Sequence, residues 1–375
     1  MPKVLFVVHG MGDCLPGWSA KLVDLLDRTL AQYPRFATEA RPFRDRVAVE
    51  EITYDAAFDK MVEPWGRQRA ALEQFARDHA LALDDTLTAL AVGQLPTDVR
   101  NFVWETLLDP VLYRGSSLVR DNVRRSVIGQ FLTAWERHLT HNHGAGQVEV
   151  SVLCHSLGTI VMSDVLAHVG EGRRREYLPF SAANRSLKTL VTLANVSRLG
   201  PARLIDVDSR ATCVRPDTAP AWKAGKANYL QRLINVRHEL DPFCLWQRFA
   251  PRSDWGTRYV DVAGVRHVHQ ADTHGFLHYL VNPRVHVPFF RSLLGDGAIT
   301  RPEERAAVDA FPDVKPEACA AAVEALRDSL TALGEISIRE PRALDDFVVY
   351  GIAAYRAMRT ARDACHPLAE GLNVA

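Results

Sequence analysis

An apolar, largely β-branched run that ends in Cys154-His155-Ser156-Leu157-Gly158 constrains this 375-residue chain more than any other segment. Val148-Glu149-Val150-Ser151-Val152-Leu153 has the hydrophobicity of a strand covered on both faces, and therefore of a strand inside a parallel sheet. Directly behind it, Thr159, Ile160, Val161, Val165, Leu166 and Val169 supply the apolar stripe of a helix. A strand that passes into a helix this abruptly needs a tight turn, and the turn needs small residues two positions either side of Ser156. Gly158 meets that need after the serine, and Cys154 is small enough to meet it before. The plainer reading leaves Ser156 as a helix N-cap that satisfies backbone N–H groups.

The same alternation extends along the chain. Residues 3–8 predict a buried strand, followed by the loop His9-Gly10-Met11-Gly12-Asp13 and a helix over residues 19–32 with Leu22, Leu25, Leu26 and Leu30 on one side. Further strands are expected over residues 47–54, 186–194 and 232–237, with a weaker one over 257–262 and a helix running to about residue 294. Strands alternating with helices predict an α/β fold: a mostly parallel, doubly wound sheet with helices on both faces. Residues 56–145 interrupt this pattern as a helical insertion. There, residues 66–79 are amphipathic, and Val127, Ile128, Phe131, Leu132, Trp135 and Leu139 recur at helical spacing. The insertion is either a cap over a site or helices packed beside the sheet. The expected organisation is a core over residues 1–295, including that insertion, and a helical C-terminal extension over residues 296–375, where Val323, Leu326, Leu330, Leu333, Val348, Ile352 and Tyr355 mark apolar faces. Self-association or a protein partner could use that extension.

Charge narrows the partners. The chain carries 45 basic and 45 acidic side chains, so nothing argues for nucleic acid; Arg120, Arg124 and Arg125 and the run Arg173-Arg174-Arg175 read as solvated helix faces. No apolar run approaches the ~18–20 residues of a membrane span, and the first residues read as a strand rather than a signal segment. Six scattered cysteines without a Cys-x-x-Cys pair predict reduced thiols and a cytoplasmic location.

A serine hydroxyl is a weak nucleophile unless a base lies within hydrogen-bond reach and a third group orients that base. On an α/β sheet the three follow in the order Ser, acid, His. Asp241 stands just past the strand Leu233-Ile234-Asn235-Val236, before Pro242, with Glu239 and Asp254 as competing acids. His274, in Asp272-Thr273-His274-Gly275 ahead of a helix, is the expected base, and His278 is its rival. Oxyanion N–H donors are expected from Leu157, at the start of the elbow helix, and from Met11, in the glycine-bearing loop.

The pair His9-Gly10-Met11-Gly12 and Cys154-His155-Ser156-Leu157-Gly158 resembles the α/β-hydrolase fold superfamily in its compact lipase- or esterase-like form, over about residues 3–295. The resemblance implies a serine hydrolase that cleaves a carboxylic ester, thioester or amide through an acyl-enzyme, with no cofactor and no metal, on a small-molecule or acyl ester substrate. Two features depart from the pattern: Cys154 replaces the first elbow glycine, and there is no Gly-Gly-Gly oxyanion loop. The alternative is a catalytically inactive relative that serves as a binding or scaffold protein. Two further readings compete: a metal site built from His141-x-His143, His267-x-His269 or His274 with His278, and a Cys154 nucleophile, which its expected inward orientation disfavours.

Overall fold

The computed structural model describes residues 1–10, 14, 16–56, 113, 117–141, 148–171, 187–197, 230–241, 244, 249, 257–268, 273–311, 317, 319–335 and 343–365. In chain order the elements are β1 (Lys3–Val8), α1 (Ala20–Ala31), β2 (Val47–Ile52), α2 (Ser117–His141), β3 (Glu149–His155), α3 (Leu157–Glu171), β4 (Leu187–Leu193), β5 (Leu230–His238), β6 (Tyr259–Val265), α4 (Phe276–Leu280), α5 (Pro283–Leu294), α6 (Arg301–Ala310), α7 (Ala320–Glu335) and α8 (Ala343–Cys365). The six strands form one sheet in the order β2-β1-β3-β4-β5-β6, and every pairing is parallel. The α/β class expected from the sequence is the class observed.

Period-two alternation divides β1 between two cores. Val4, Phe6 and Val8 face one core, and Leu5 and Val7 face the other. The first core is closed by α2 and α3: Phe131 and Trp135 of α2 pack on Phe6, the Phe6–Phe131 ring centres lying 4.6 Å apart. The second is closed by α1 and α5 through Leu22, Leu26 and Leu30 on one side and Phe289, Phe290 and Leu293 on the other. Residues at the helical spacing noticed in 127–139 therefore form a helix that covers the sheet. The amphipathic stretch 66–79 lies outside the described residues.

Sheet order locates the site. From β1 the chain steps outward to β2, then crosses to β3 and continues the other way to β6. The connections therefore diverge between β1 and β3, and the crevice beyond the strand ends at such a point is where doubly wound sheets bind ligands. His9-Gly10, after β1, and Ser156, after β3, both stand there.

One expectation is corrected in the C-terminal region. Cys319, just before α7, and Cys365, at the end of α8, are disulfide-bonded, with Cα atoms 5.3 Å apart. Scattered spacing suggested reduced thiols, but a sequence separation of 46 is no obstacle once two helices fold back on each other. Persistent disulfides belong to oxidising compartments, so the thiol-based ground for a cytoplasmic location does not hold for this pair. Cys14, Cys154 and Cys244 are not disulfide-bonded. Among the described residues no helix is long and apolar enough to cross a membrane.

Candidate active site

Ser156 joins β3 to α3 with φ at +49°, in the left-handed region that non-glycine residues seldom enter. Such a conformation costs on the order of 1–3 kcal/mol and persists only where the surroundings enforce it. Here they do. The Ser156 N–H donates to Leu193 O of β4 (3.0 Å), and the Ser156 carbonyl accepts from Thr159 N (2.8 Å) and Thr159 Oγ1 (2.6 Å). Thr159 Oγ1 in turn accepts from Val196 N at 3.2 Å, which ties the turn to the chain beyond β4.

Two glycines allow the loops after β1 and β3 to meet. A Cβ on Gly158 would lie 2.3 Å from His9 O and 3.0 Å from Val8 O, so the first turn of α3 rests against the β1 backbone. A Cβ on Gly10 would lie 2.8 Å from His155 Nδ1 and 2.9 Å from Ser156 Cβ. His9-Gly10 and His155–Gly158 are thus packed against each other. At the position before the elbow, Cys154 is fully buried with Sγ donating to Val191 O (3.4 Å), and burial pushes its thiol pKa far up. That side chain belongs to the sheet's core, as its expected inward orientation required.

His274 and Asp241 converge on the serine. His274 Nε2 is 2.8 Å from Ser156 Oγ, and His274 Nδ1 is 2.8 Å from Asp241 Oδ2. With the carboxylate accepting from Nδ1–H, Nε2 carries a lone pair that accepts the hydrogen bond of the Ser156 hydroxyl. Asp241 is wholly buried. Burial by itself would raise its pKa, but the His274 charge and the hydrogen bonds from His274 and Tyr279 outweigh it and hold the carboxyl well below the usual range.

Several neighbours hold these groups and were not singled out in the sequence. The Tyr279 hydroxyl donates to Asp241 Oδ2, and Cys244 Sγ lies 3.1 Å from that hydroxyl. Thr273 Oγ1 donates to Leu240 O at 3.0 Å, joining the base loop to the acid loop. His155 donates from Nε2 to His274 O (2.6 Å) and stacks on Phe276 with the rings 12° from parallel. Burial, reinforced by the nearby His274 charge, lowers the His155 pKa to about 3, so the ring is neutral at pH 7. No local pattern marks these residues; they become neighbours only when β3, β5 and α4 assemble.

The competing residues lie elsewhere. Glu239 is paired with Arg266 on the surface (2.7 Å). His278 is buried and stacked on His267, with ring centres 4.1 Å apart. Leu157 is the first residue of α3, so its N–H has no acceptor within the helix. Met11, Asp254, His143 and His269 lie outside the described residues.

Among the described residues, two side-chain clusters have the composition of a metal site. In the first, His238, His267 and His278, the ring nitrogens of two members are already used. His238 Nε2 donates to His267 O (2.8 Å) and Nδ1 accepts from Leu240 N (3.1 Å). His267 Nε2 donates to His278 O (2.6 Å), while Nδ1 accepts from Asn282 Nδ2 (3.0 Å). Histidines bonded in this way are structural. The second cluster is His9, Cys14 and Asp55, at the mouth of the β1 loop.

No protein-family model and no curated protein matches this chain.

Proposed function

We propose that this protein is a serine hydrolase of α/β-hydrolase type, lipase- or esterase-like, that cleaves a carboxylic ester, thioester or amide through an acyl-enzyme. One observation carries the reading: a serine at φ +49° whose Oγ is 2.8 Å from a histidine nitrogen, the other nitrogen of that ring being 2.8 Å from a buried carboxylate. A structural N-cap needs neither the base nor the acid behind it.

In this mechanism Ser156 Oγ attacks the substrate carbonyl carbon while His274 Nε2 takes the hydroxyl proton. Asp241 holds the Nδ1–H and stabilises the imidazolium that forms. The carbonyl oxygen becomes an oxyanion, for which the Leu157 N–H and the Met11 N–H are the proposed donors, each contributing ~3–4 kcal/mol. Collapse of the tetrahedral intermediate breaks the bond to the leaving group, which departs with the proton held by His274. Water, deprotonated by His274, then attacks the acyl carbon, and the second collapse returns Ser156 with its proton.

The test is labelling by a fluorophosphonate, together with turnover of p-nitrophenyl esters of graded chain length. Wild type should label and turn over. Ser156→Ala should not label, and its turnover should fall by ~10⁴–10⁶. An absence of labelling in folded wild-type protein would remove the hydrolase reading.

A further inference from the structure

We propose that His9, Cys14 and Asp55 form a binding site for a divalent cation of the zinc class, which ties His9, just past β1, and Cys14 to Asp55, just past β2. His9 is 2 % exposed, and its ring orientation is decided by its neighbours. Nδ1 lies 2.7 Å from Gly10 O, a carbonyl that can only accept, so the proton sits on Nδ1. Nε2 therefore carries a lone pair. That buried nitrogen has no hydrogen-bond partner among the described residues, and it faces Asp55 Oδ2 at 3.5 Å.

A buried imidazole lone pair aimed at a largely buried carboxylate favours a positive charge between them. A shared proton is one solution, but charge-assisted N–H···O contacts close to about 2.7–2.9 Å, and this contact does not. A metal is the other. With bonds of ~2.0–2.3 Å and tetrahedral angles, two ligands of one zinc ion lie about 3.3–3.6 Å apart, which is the spacing found here.

The third ligand has a reason to be there. Cys14 N donates to Asp55 Oδ2 at 2.8 Å, so the backbone already brings the residue to the carboxylate, and a ring nitrogen of His9, Cys14 Sγ and a carboxylate oxygen of Asp55 all lie within 4.8 Å of one another. Glu51, whose carboxylate accepts from Gly17 N (2.8 Å) and Ser19 N (2.8 Å), adds a second negative charge near the ring. Tyr54 fixes the His9 end: its hydroxyl donates to His9 O (2.9 Å) and Gly10 O (2.6 Å), and its ring stacks on the imidazole at 4.4 Å. Imidazole, thiolate and carboxylate together suit zinc, whereas magnesium and calcium take oxygen donors. On binding, the Cys14 thiol loses its proton to solvent, and metal–nitrogen, metal–sulfur and metal–oxygen bonds form while water leaves the ion. Three protein ligands leave a fourth position for water.

The test uses the full-length chain stripped of metal by a chelator, then dialysed against zinc or cobalt(II), so its readout is independent of hydrolase activity. One zinc should be retained per chain, and the cobalt form should show a near-ultraviolet thiolate-to-metal charge-transfer band. Cys14→Ala, at a half-buried position that packs no core, should lose that band and weaken metal binding at least about tenfold, with an unchanged circular dichroism spectrum. Asp55→Asn should weaken binding in the same direction. Absence of retained zinc in the wild-type chain would overturn the proposal. So would metal binding that is indifferent to Cys14→Ala and Asp55→Asn, which would point to the His238–His267–His278 cluster instead.

Discussion

Tyr279 donates its hydroxyl proton to Asp241 Oδ2, the same oxygen that accepts from His274 Nδ1. Removing that donor leaves more negative charge on the carboxylate and so favours the His274 imidazolium. Tyr279→Phe should therefore move the acid limb of the pH dependence of kcat/KM to higher pH and lower kcat several-fold, with KM little changed. Losing a buried hydrogen bond should also cost about 1–2 kcal/mol of stability. A pH–rate profile on a p-nitrophenyl ester checks the first effect, and an unmoved acid limb would mean that Tyr279 is purely structural.

Gly158 and Gly129 should respond oppositely to alanine. At Gly158 the new Cβ would meet the backbone oxygen of His9 at 2.3 Å, and neither main chain can yield without opening the β1–β3 crevice. Gly158→Ala should destabilise by about 3 kcal/mol or more and abolish fluorophosphonate labelling. Gly129 lies within α2, where an added Cβ meets nothing within 4 Å. Gly129→Ala should stabilise by about 0.4–1 kcal/mol. Urea unfolding midpoints of the two variants should fall on opposite sides of wild type.

Acid should weaken the fold well above the carboxylate range. Burial lowers the His286 pKa to about 4, and burial with the His274 charge lowers that of His155 to about 3, against 6.5 for an exposed histidine. Between those values the unfolded chain binds more protons than the folded one, so the stabilisation is complete above pH 6.5 and erodes as pH falls toward 4 and then 3. Each histidine contributes about 1.4 kcal/mol per pH unit within its window. Between pH 7.5 and 5.5 the free energy of unfolding should fall by roughly 2–3 kcal/mol. Equal denaturant midpoints at the two pH values would contradict this.

The Cys319–Cys365 bond closes a loop of 46 positions around α7 and α8. Chain entropy alone predicts a stabilisation of about 4 kcal/mol for a loop of that length. Alkylation in denaturant without reductant should spare Cys319 and Cys365. Reduction should lower the thermal transition of the C-terminal helices, which the disulfide packs against Leu240 and Val268.

Local pattern made much of this molecule legible. The apolar run before Ser156, the strand over residues 3–8 and the helical stripe of Val127, Ile128, Phe131 and Trp135 are periodic features, and each forms the element its period implies. Glycine at 158 could be read as a demand for close approach, although not that the approach is to His9. His274 is expected over His278 from its place on the loop ahead of a helix, but that place does not say which of the two reaches Ser156. Both are histidines four residues apart, one on each side of a helix start, and only the placement of α4 sends one toward Ser156 and the other to His267. Asp241 was one of three acids in reach of the chain-order rule, and only the tertiary structure buries it against His274 while Glu239 pairs with Arg266 at the surface.

What the sequence determined by itself was the set of elements, their alternation and the two turns that meet at the crevice, because these depend on side-chain period and on small residues at fixed offsets. Tertiary structure alone decided the strand order, the partners of Ser156, the bond between Cys319 and Cys365, and the inward lone pair of His9. The reason is distance along the chain. Ser156 and His274 are 118 residues apart and His274 and Asp241 are 33 apart, so their meeting is fixed by how β3, β5 and α4 pack and not by any interaction a local window can contain.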